Sequence, residues 1–229
     1  MHGITIRAAA GQTPVLDGTS TTSLADIQVV GLQNVLLQGL TINGGETGVD
    51  ILQPSSSLPL SVTIDHCSIT NQAASVTSSG IVVENGGDVD ITYSTISGSA
   101  STGVAFLNGG QLTMSNSTVQ NNASDGIDAI DANVQLINST VSSNVGEGVS
   151  LVGCSGTLTG STFASHSGTF GDGVQIVDGM STVTGNTFAS NAGAAIALEP
   201  GIITTPVGTT PGPGPTVALS RNIMRLNDF

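Results

Sequence analysis

The sequence predicts an all-β solenoid, and three observations carry that prediction. Leu112 to Ser155 holds two copies of one 22-residue unit, back to back. Short alternations of apolar and polar residues recur through most of the chain at a similar period. Gly and Asn fall between these alternations at repeated places. One such unit cannot bury its apolar face alone, but stacked units build a continuous core.

The paired copies read LTMSNSTVQNNASDGIDAIDAN and VQLINSTVSSNVGEGVSLVGCS. Each opens on an apolar alternation, Leu112 and Met114 or Val134 and Leu136. A polar-Ser-Thr-Val step follows, from Asn116 to Val119 and from Asn138 to Val141. An Asn comes next (Asn122, Asn144), then Gly with a second alternation (Gly126, Ile127, Ala129; Gly148, Val149, Leu151). Taking the first inward residue as position one, turns start at Val35, Val62, Val89, Leu112, Val134, Gly156, Ser181 and Val217. An irregular earlier turn is expected from Ile4-Thr5-Ile6 through Pro14 to Gly18 and on to Ile27-Gln28-Val29. The chain then reads as one domain: 1–34 irregular, 35–198 regular, 199–216 a Pro/Gly-rich loop, 217–229 a last partial turn. About eight to nine turns are expected on that reading.

Position three is apolar in every turn, from Leu37 and Ile64 to Val183 and Leu219. Position eight is apolar too, from Ile42 and Ile69 to Phe188 and Met224. The third strand reads GVDI at 48, GIVV at 80, GVAF at 103, GIDA at 126, GVSL at 148, GVQI at 173 and AIAL at 195. Each column should stack on itself about 4.8 Å apart, giving a rod of about 40 Å. Position six is inward and polar over much of its run (Leu40, Cys67, Ser94, Ser117, Ser139, Ser161, Asn186, Asn222), so its hydroxyls need partners. Position eleven is a turn column (Gln72, Ser99, Asn122, Asn144, His166, Asn191, Asn227), where Asn suits a left-handed backbone. Cys67 is expected in a strand and Cys154 in a turn, so no disulfide is expected between them. Four loops extend the repeat: Gln53 to Ser61, Thr70 to Ser79, Ser165 to Asp172, and Glu199 to Pro215.

Charge narrows the partners. The chain carries a net −13, with only 8% charged residues and no Lys. Its basic residues are Arg7, Arg221 and Arg225, so residues 8 to 220 hold no permanent positive charge. Such a surface repels phosphate backbones and anionic lipid, which excludes nucleic acid as an expected partner. No run of 18 apolar residues exists and no leader is visible at the start, so membrane insertion is not expected. Strand-like sequence at both ends suggests a piece of a longer chain, with flanking domains or caps covering the open edges.

The Asn-Ser-Thr-Val, Asn, Gly-Ile pattern resembles the right-handed parallel β-helix repeat of the pectate-lyase-like superfamily, over about Val35 to Asn227. The resemblance implies a secreted or cell-surface location and contact with polysaccharide. It does not imply one activity, since that superfamily holds lyases, galacturonan hydrolases, esterases, epimerases, phage tailspikes and non-catalytic surface proteins. Its lyases use an Arg or Lys base beside acidic Ca²⁺ ligands, which residues 8 to 220 lack. Its hydrolases carry Asn-x-Asp, Asp-Asp, Gly-His-Gly and Arg-x-Lys, and its esterases an Arg beside two Asp. None of these sets is present.

The residues themselves offer one candidate site. Just before the third strand, one column reads Thr47, Ser79, Thr102, Asp125, Glu147, Asp172, Ala194. Its three carboxylates should lie about 5 Å apart on successive turns, where mutual repulsion raises their pKa values. Asp125, Glu147 and Asp172 are candidate catalytic residues on that ground, and alternatively ligands for Ca²⁺. A solvated edge of an acidic protein is the plain alternative. Asp128, Asp131, Asp178 and His166 are candidate ligand-binding residues nearby. His66 and His166 show no triad spacing. The outward Thr column (Thr41, Ser68, Thr95, Thr118, Thr140, Thr162, Thr187) reads as β-propensity, with ice or crystal-surface binding as a minor alternative. The expectation is an extracellular structural, adhesive or glycan-binding module, with Ca²⁺ a candidate stabiliser. A neutral-polysaccharide enzyme using Asp125, Glu147, Asp128 and Asp172 is the alternative.

Overall fold

Strand ends are set by residues in the left-handed backbone region. A computed structural model of the chain describes residues 3–19, 25–54, 60–73, 75–200, 202–205, 208–212, 214–225 and 227. Each turn bends at three such corners. Gly39, His66, Tyr93, Asn116 and Asn138 share the first, with φ between 48° and 67°. Asn71, Asn121, Ser143, Ser165 and Ser190 share the second, and Asn85, Asn108, Asp131 and Asp178 the third. Gly and Asn reach this region at low cost, which explains their recurrence between the strands. Sequence reasoning placed the left-handed residue at position eleven. It lies at position ten, and position eleven does something else.

Among the described residues, the strands between corners stack in parallel into three sheets. The first runs from Ile4–Arg7 through Val35–Gln38 to Thr216–Ser220, nine strands in all. The second runs from Val15–Asp17 to Ile223–Arg225, also nine. The third runs from Ile27–Val30 to Ile196–Glu199, with eight. The register agrees with the sequence columns, pairing Val35 with Val62, Val62 with Val89 and Leu112 with Val134. The segment before Val35 contributes one strand to each sheet and pairs Ile4 with Val35. Within 199–216, Ile202–Thr205 and Gly208–Pro211 form an antiparallel hairpin, where the sequence suggested an extended loop. Residues 55–59 of the Gln53 to Ser61 extension lie outside the described residues.

The core is the inside of this tube. Leu37, Ile64, Ile91, Met114, Leu136 and Leu158 are fully buried in the first sheet, and Ile42 to Phe188 in the second. Phe163 and Phe188 stack with ring centroids 5.1 Å apart on adjacent turns. Gly48, Gly80, Gly103, Gly126 and Gly148 stand at or just before the start of the third strand because a Cβ there would strike the backbone of the next turn.

Two buried polar ladders complete the tube. At position six, Ser94, Ser117 and Ser139 each donate their hydroxyl to the carbonyl two residues back, at 2.8, 2.8 and 3.0 Å. Each oxygen also accepts the amide of the preceding turn: Cys67 on Ser94, Ser94 on Ser117, Ser117 on Ser139. At position eleven, the amides of Ser99 and Asn122 reach the side chains of Asn122 and Asn144, both at 3.0 Å. The side chains of position eleven thus bond between turns. Cys67 and Cys154 are both buried, free corner residues, and each donates Sγ–H to the carbonyl two residues back. Cys67 is therefore a corner residue, not a strand residue, and its thiol donates as the Ser94 hydroxyl does one turn on.

Ser139→Ala leaves the buried Ser117 amide without a partner and should cost about 1–3 kcal/mol in urea unfolding. Thr157→Ala, at an exposed strand position, should change stability by about 0.5 kcal/mol or less. Equal losses in the two variants would show that the ladder adds nothing.

Candidate functional site

The second corner widens where the carboxylates sit. Asp125, Glu147 and Asp172 each immediately precede a glycine, and their carbonyls bond in sequence: Gly103 to Asp125, Gly126 to Glu147, Gly148 to Asp172, at 2.8 to 3.0 Å. The column read from the sequence is thus brought together on one edge. Its side chains also bond along the axis. Asp125 Oδ1 accepts the Glu147 amide at 2.9 Å, and Asp172 Oδ1 accepts the Ala194 amide at 2.6 Å. Gly146 and Gly193 leave the room for those oxygens that a Cβ would fill.

Burial and crowding raise these carboxyls. Glu147 is pushed up to about 8, first by burial, then by its hydrogen bond to Asp125 and the charges of Asp125 and Asp172. Asp128, half-buried on the adjacent strand, is raised by burial and then by Asp125. Asp172 is raised by burial, against the Ala194 amide that lowers it. Glu147 therefore holds a proton at neutral pH. An open cleft of about 430 Å³ lies beside the pair, lined by Ser124, Asp125, Val145, Glu147, Thr169 and Phe170. Phe170 is 71% exposed and Val145 47%.

Other predicted residues have different places. Asp131 and Asp178 are left-handed residues of the third corner, at φ 55° and 61°, across the third sheet from the carboxylate edge. Asp178 Oδ1 accepts the amide of Gly179 at 2.8 Å. His166 is buried inside the position-eleven ladder, so it is not poised as a surface ligand. Its Nδ1 accepts the Asn144 amide at 3.3 Å and its amide donates to Asn191 at 3.3 Å. Burial pushes its pKa down to about 4. Among the described residues, no three His, Cys, Asp or Glu side chains converge as a cation would need. Asp125, Glu147 and Asp172 are spread along the axis instead.

Sequence reasoning missed two features. Phe170 was only a loop residue, and its exposure beside the carboxylates depends on how that loop returns. The second is at the first corner. Asp65 accepts hydrogen bonds from Gln38 and Thr92, both at 2.8 Å, and pairs with His66 Nδ1 at 2.7 Å. His66 stacks on Tyr93 of the next turn, with ring centroids 4.9 Å apart. The adjacent Asp65 and His66 were a readable signal; the stacking on Tyr93 required the register.

The sequence matches the family described as "Right handed beta helix region" over residues 19–163, and again over 129–204. The chain belongs to that right-handed β-helix family. No curated protein sequence matches it. Among solved structures it is similar to the periplasmic alginate epimerase AlgG, with a TM-score of 0.65 and 14% identity. That match covers 87% of this chain and 48% of the epimerase. It is also similar to the pectate lyase Pel9A, with a TM-score of 0.59 and 15% identity over 85% of this chain and 60% of the lyase. This β-helix therefore spans about half of the first neighbour. At such identities the likeness shows the fold.

Buried His166 and half-buried Glu147 make stability depend on pH in opposite directions. The unfolded chain protonates His166 near 6.5 and the folded chain only near 4, so stability falls as pH drops through that window. The unfolded chain ionises Glu147 near 4.5 and the folded chain near 8, so stability falls as pH rises through that window. His166→Asn, which restores the ladder residue of neighbouring turns, should gain about 2 kcal/mol more at pH 5 than at pH 8. Glu147→Gln should flatten the loss toward pH 8. Urea titrations of both variants across this range check the two slopes. A pH-independent gain for His166→Asn would show that the ring is not held neutral.

Proposed function

We propose that this β-helix is an extracellular or cell-surface module that binds a neutral polysaccharide, with the cleft at the carboxylate edge as its site. The observation that carries the reading is an exposed aromatic ring beside a hydrogen-bonded carboxyl pair in one open cleft. Phe170 offers an apolar face to the C–H face of a sugar ring. Glu147 and Asp125 offer carboxyl oxygens that accept hydrogen bonds from its hydroxyls. The net charge of −13 disfavours a uronate polymer and leaves a neutral one. The two similar solved proteins are named as an alginate epimerase and a pectate lyase, which supports polysaccharide as the partner class.

Binding is favoured over hydrolysis by geometry. Glu147 and Asp125 are in hydrogen-bond contact, closer than the roughly 5 Å that separates the carboxyls of a retaining glycosidase. The enzyme reading rests on Glu147, whose proton is held up to about pH 8, as a general acid must hold it. Native gels containing galactomannan, xyloglucan or mixed-linkage β-glucan separate the two. Retardation should appear in at least one neutral polymer and not in alginate or pectin. Phe170→Ala should weaken it about tenfold. Release of reducing ends that disappears in Asp125→Ala would establish the enzyme and overturn the module reading.

A further inference from the structure

The first corner carries a second feature that the acidic cleft does not use. Its left-handed position is occupied in successive turns by Gly39, His66, Tyr93, Asn116, Asn138, Gly160 and Gly185. Gly and Asn suit that backbone; a tyrosine at φ 48° is strained there. The strained residue is also displayed. Tyr93 is 59% exposed and the His66 side chain 62%, with their rings stacked. Asn116 and Asn138 are exposed on the next two turns. Asp65 fixes the His66 ring edge through Nδ1, and is itself held by Gln38 and Thr92. On the other side of His66, Gly39 puts no side chain against the ring. The result is a preformed strip of two rings and two amides, one residue per turn at about 4.8 Å spacing.

We infer that His66, Tyr93, Asn116 and Asn138 form a second glycan-binding strip, taking a neutral polysaccharide laid along the rod axis. The turn spacing is comparable to the length of one pyranose unit, so successive sugars can meet successive turns. Sugar C–H faces lie against the two rings and hydroxyls meet the two amides. Fixed rings lose little freedom on binding, which favours a stacking site. The strip lies at the first corner and the cleft at the second, with a three-residue strand of the second sheet between them in each turn. The strip therefore rests on the reading of the chain as a glycan binder, but not on the acidic edge.

Tyr93 is the only Tyr and the chain has no Trp, so tyrosine emission reports on this strip alone. Galactomannan, xyloglucan and mixed-linkage β-glucan are titrated in turn against the whole chain. A saturable emission change is expected with at least one, and it should persist in Phe170→Ala. Tyr93→Asn installs the residue of the next two turns, so its melting temperature should equal or exceed that of the parent. Its retardation by the same polymer should weaken about tenfold. Retardation with unchanged emission and full binding by Tyr93→Asn would overturn the strip and leave the cleft standing. No binding to any neutral polymer would overturn both.

Discussion

At the first and second corners, a left-handed residue is followed by one whose side chain turns inward and hydrogen-bonds the main chain. Ser117 shows both halves of that arrangement. Its hydroxyl is given to its own strand end and its oxygen takes an amide from the turn before. A buried corner would otherwise leave an amide unpaired in an apolar interior, at a cost comparable to a lost hydrogen bond. Stacked Asn at the second corner solves the same problem with an amide, as Asn144 does for Asn122. The parallel register of all three sheets follows, because each ladder fixes one turn over the next.

This constraint accounts for the composition. A tube with buried Val, Ile and Leu columns needs small polar residues at its corners and Gly where turns press together. Lys and Glu, with long charged side chains, have few places in such a repeat. The exceptions then become informative. Glu147 stands where earlier turns carry Ser79 and Thr102, and its carboxyl is neutral at pH 7 because burial and two neighbouring aspartates oppose its charge. His166 stands in the Asn column and works there as an acceptor, losing its role when protonated. Tyr93 stands where Gly or Asn would be unstrained.

Function on a rod of this kind is written in departures from the repeat. The carboxylate edge and the aromatic strip lie at different corners, yet both use the same device: residues of one column, displayed at one-turn intervals. For the proposed polysaccharide partner, that spacing suits a polymer with its own repeat better than a small ligand, and a net −13 suits one without anionic groups.

Much of this was legible in the chain itself. The columns Val35 to Val217 and Leu37 to Leu219, and the stacking of Asp125 on Glu147 and Asp172, follow from spacing, because a period-2 strand has only two faces and a parallel stack repeats them. The family match and the sheets agree with that reading. Spacing could not say which of two adjacent corner residues takes the left-handed backbone, so position ten was mistaken for eleven. Nor could it bring Phe170 beside Glu147, show His166 sealed in a ladder, or stack His66 on Tyr93. Those depend on how a loop returns and on where a corner side chain points. Composition and period determined the rod; only tertiary packing decided which departures face solvent together, because burial and contact are properties of neighbouring turns and not of sequence position.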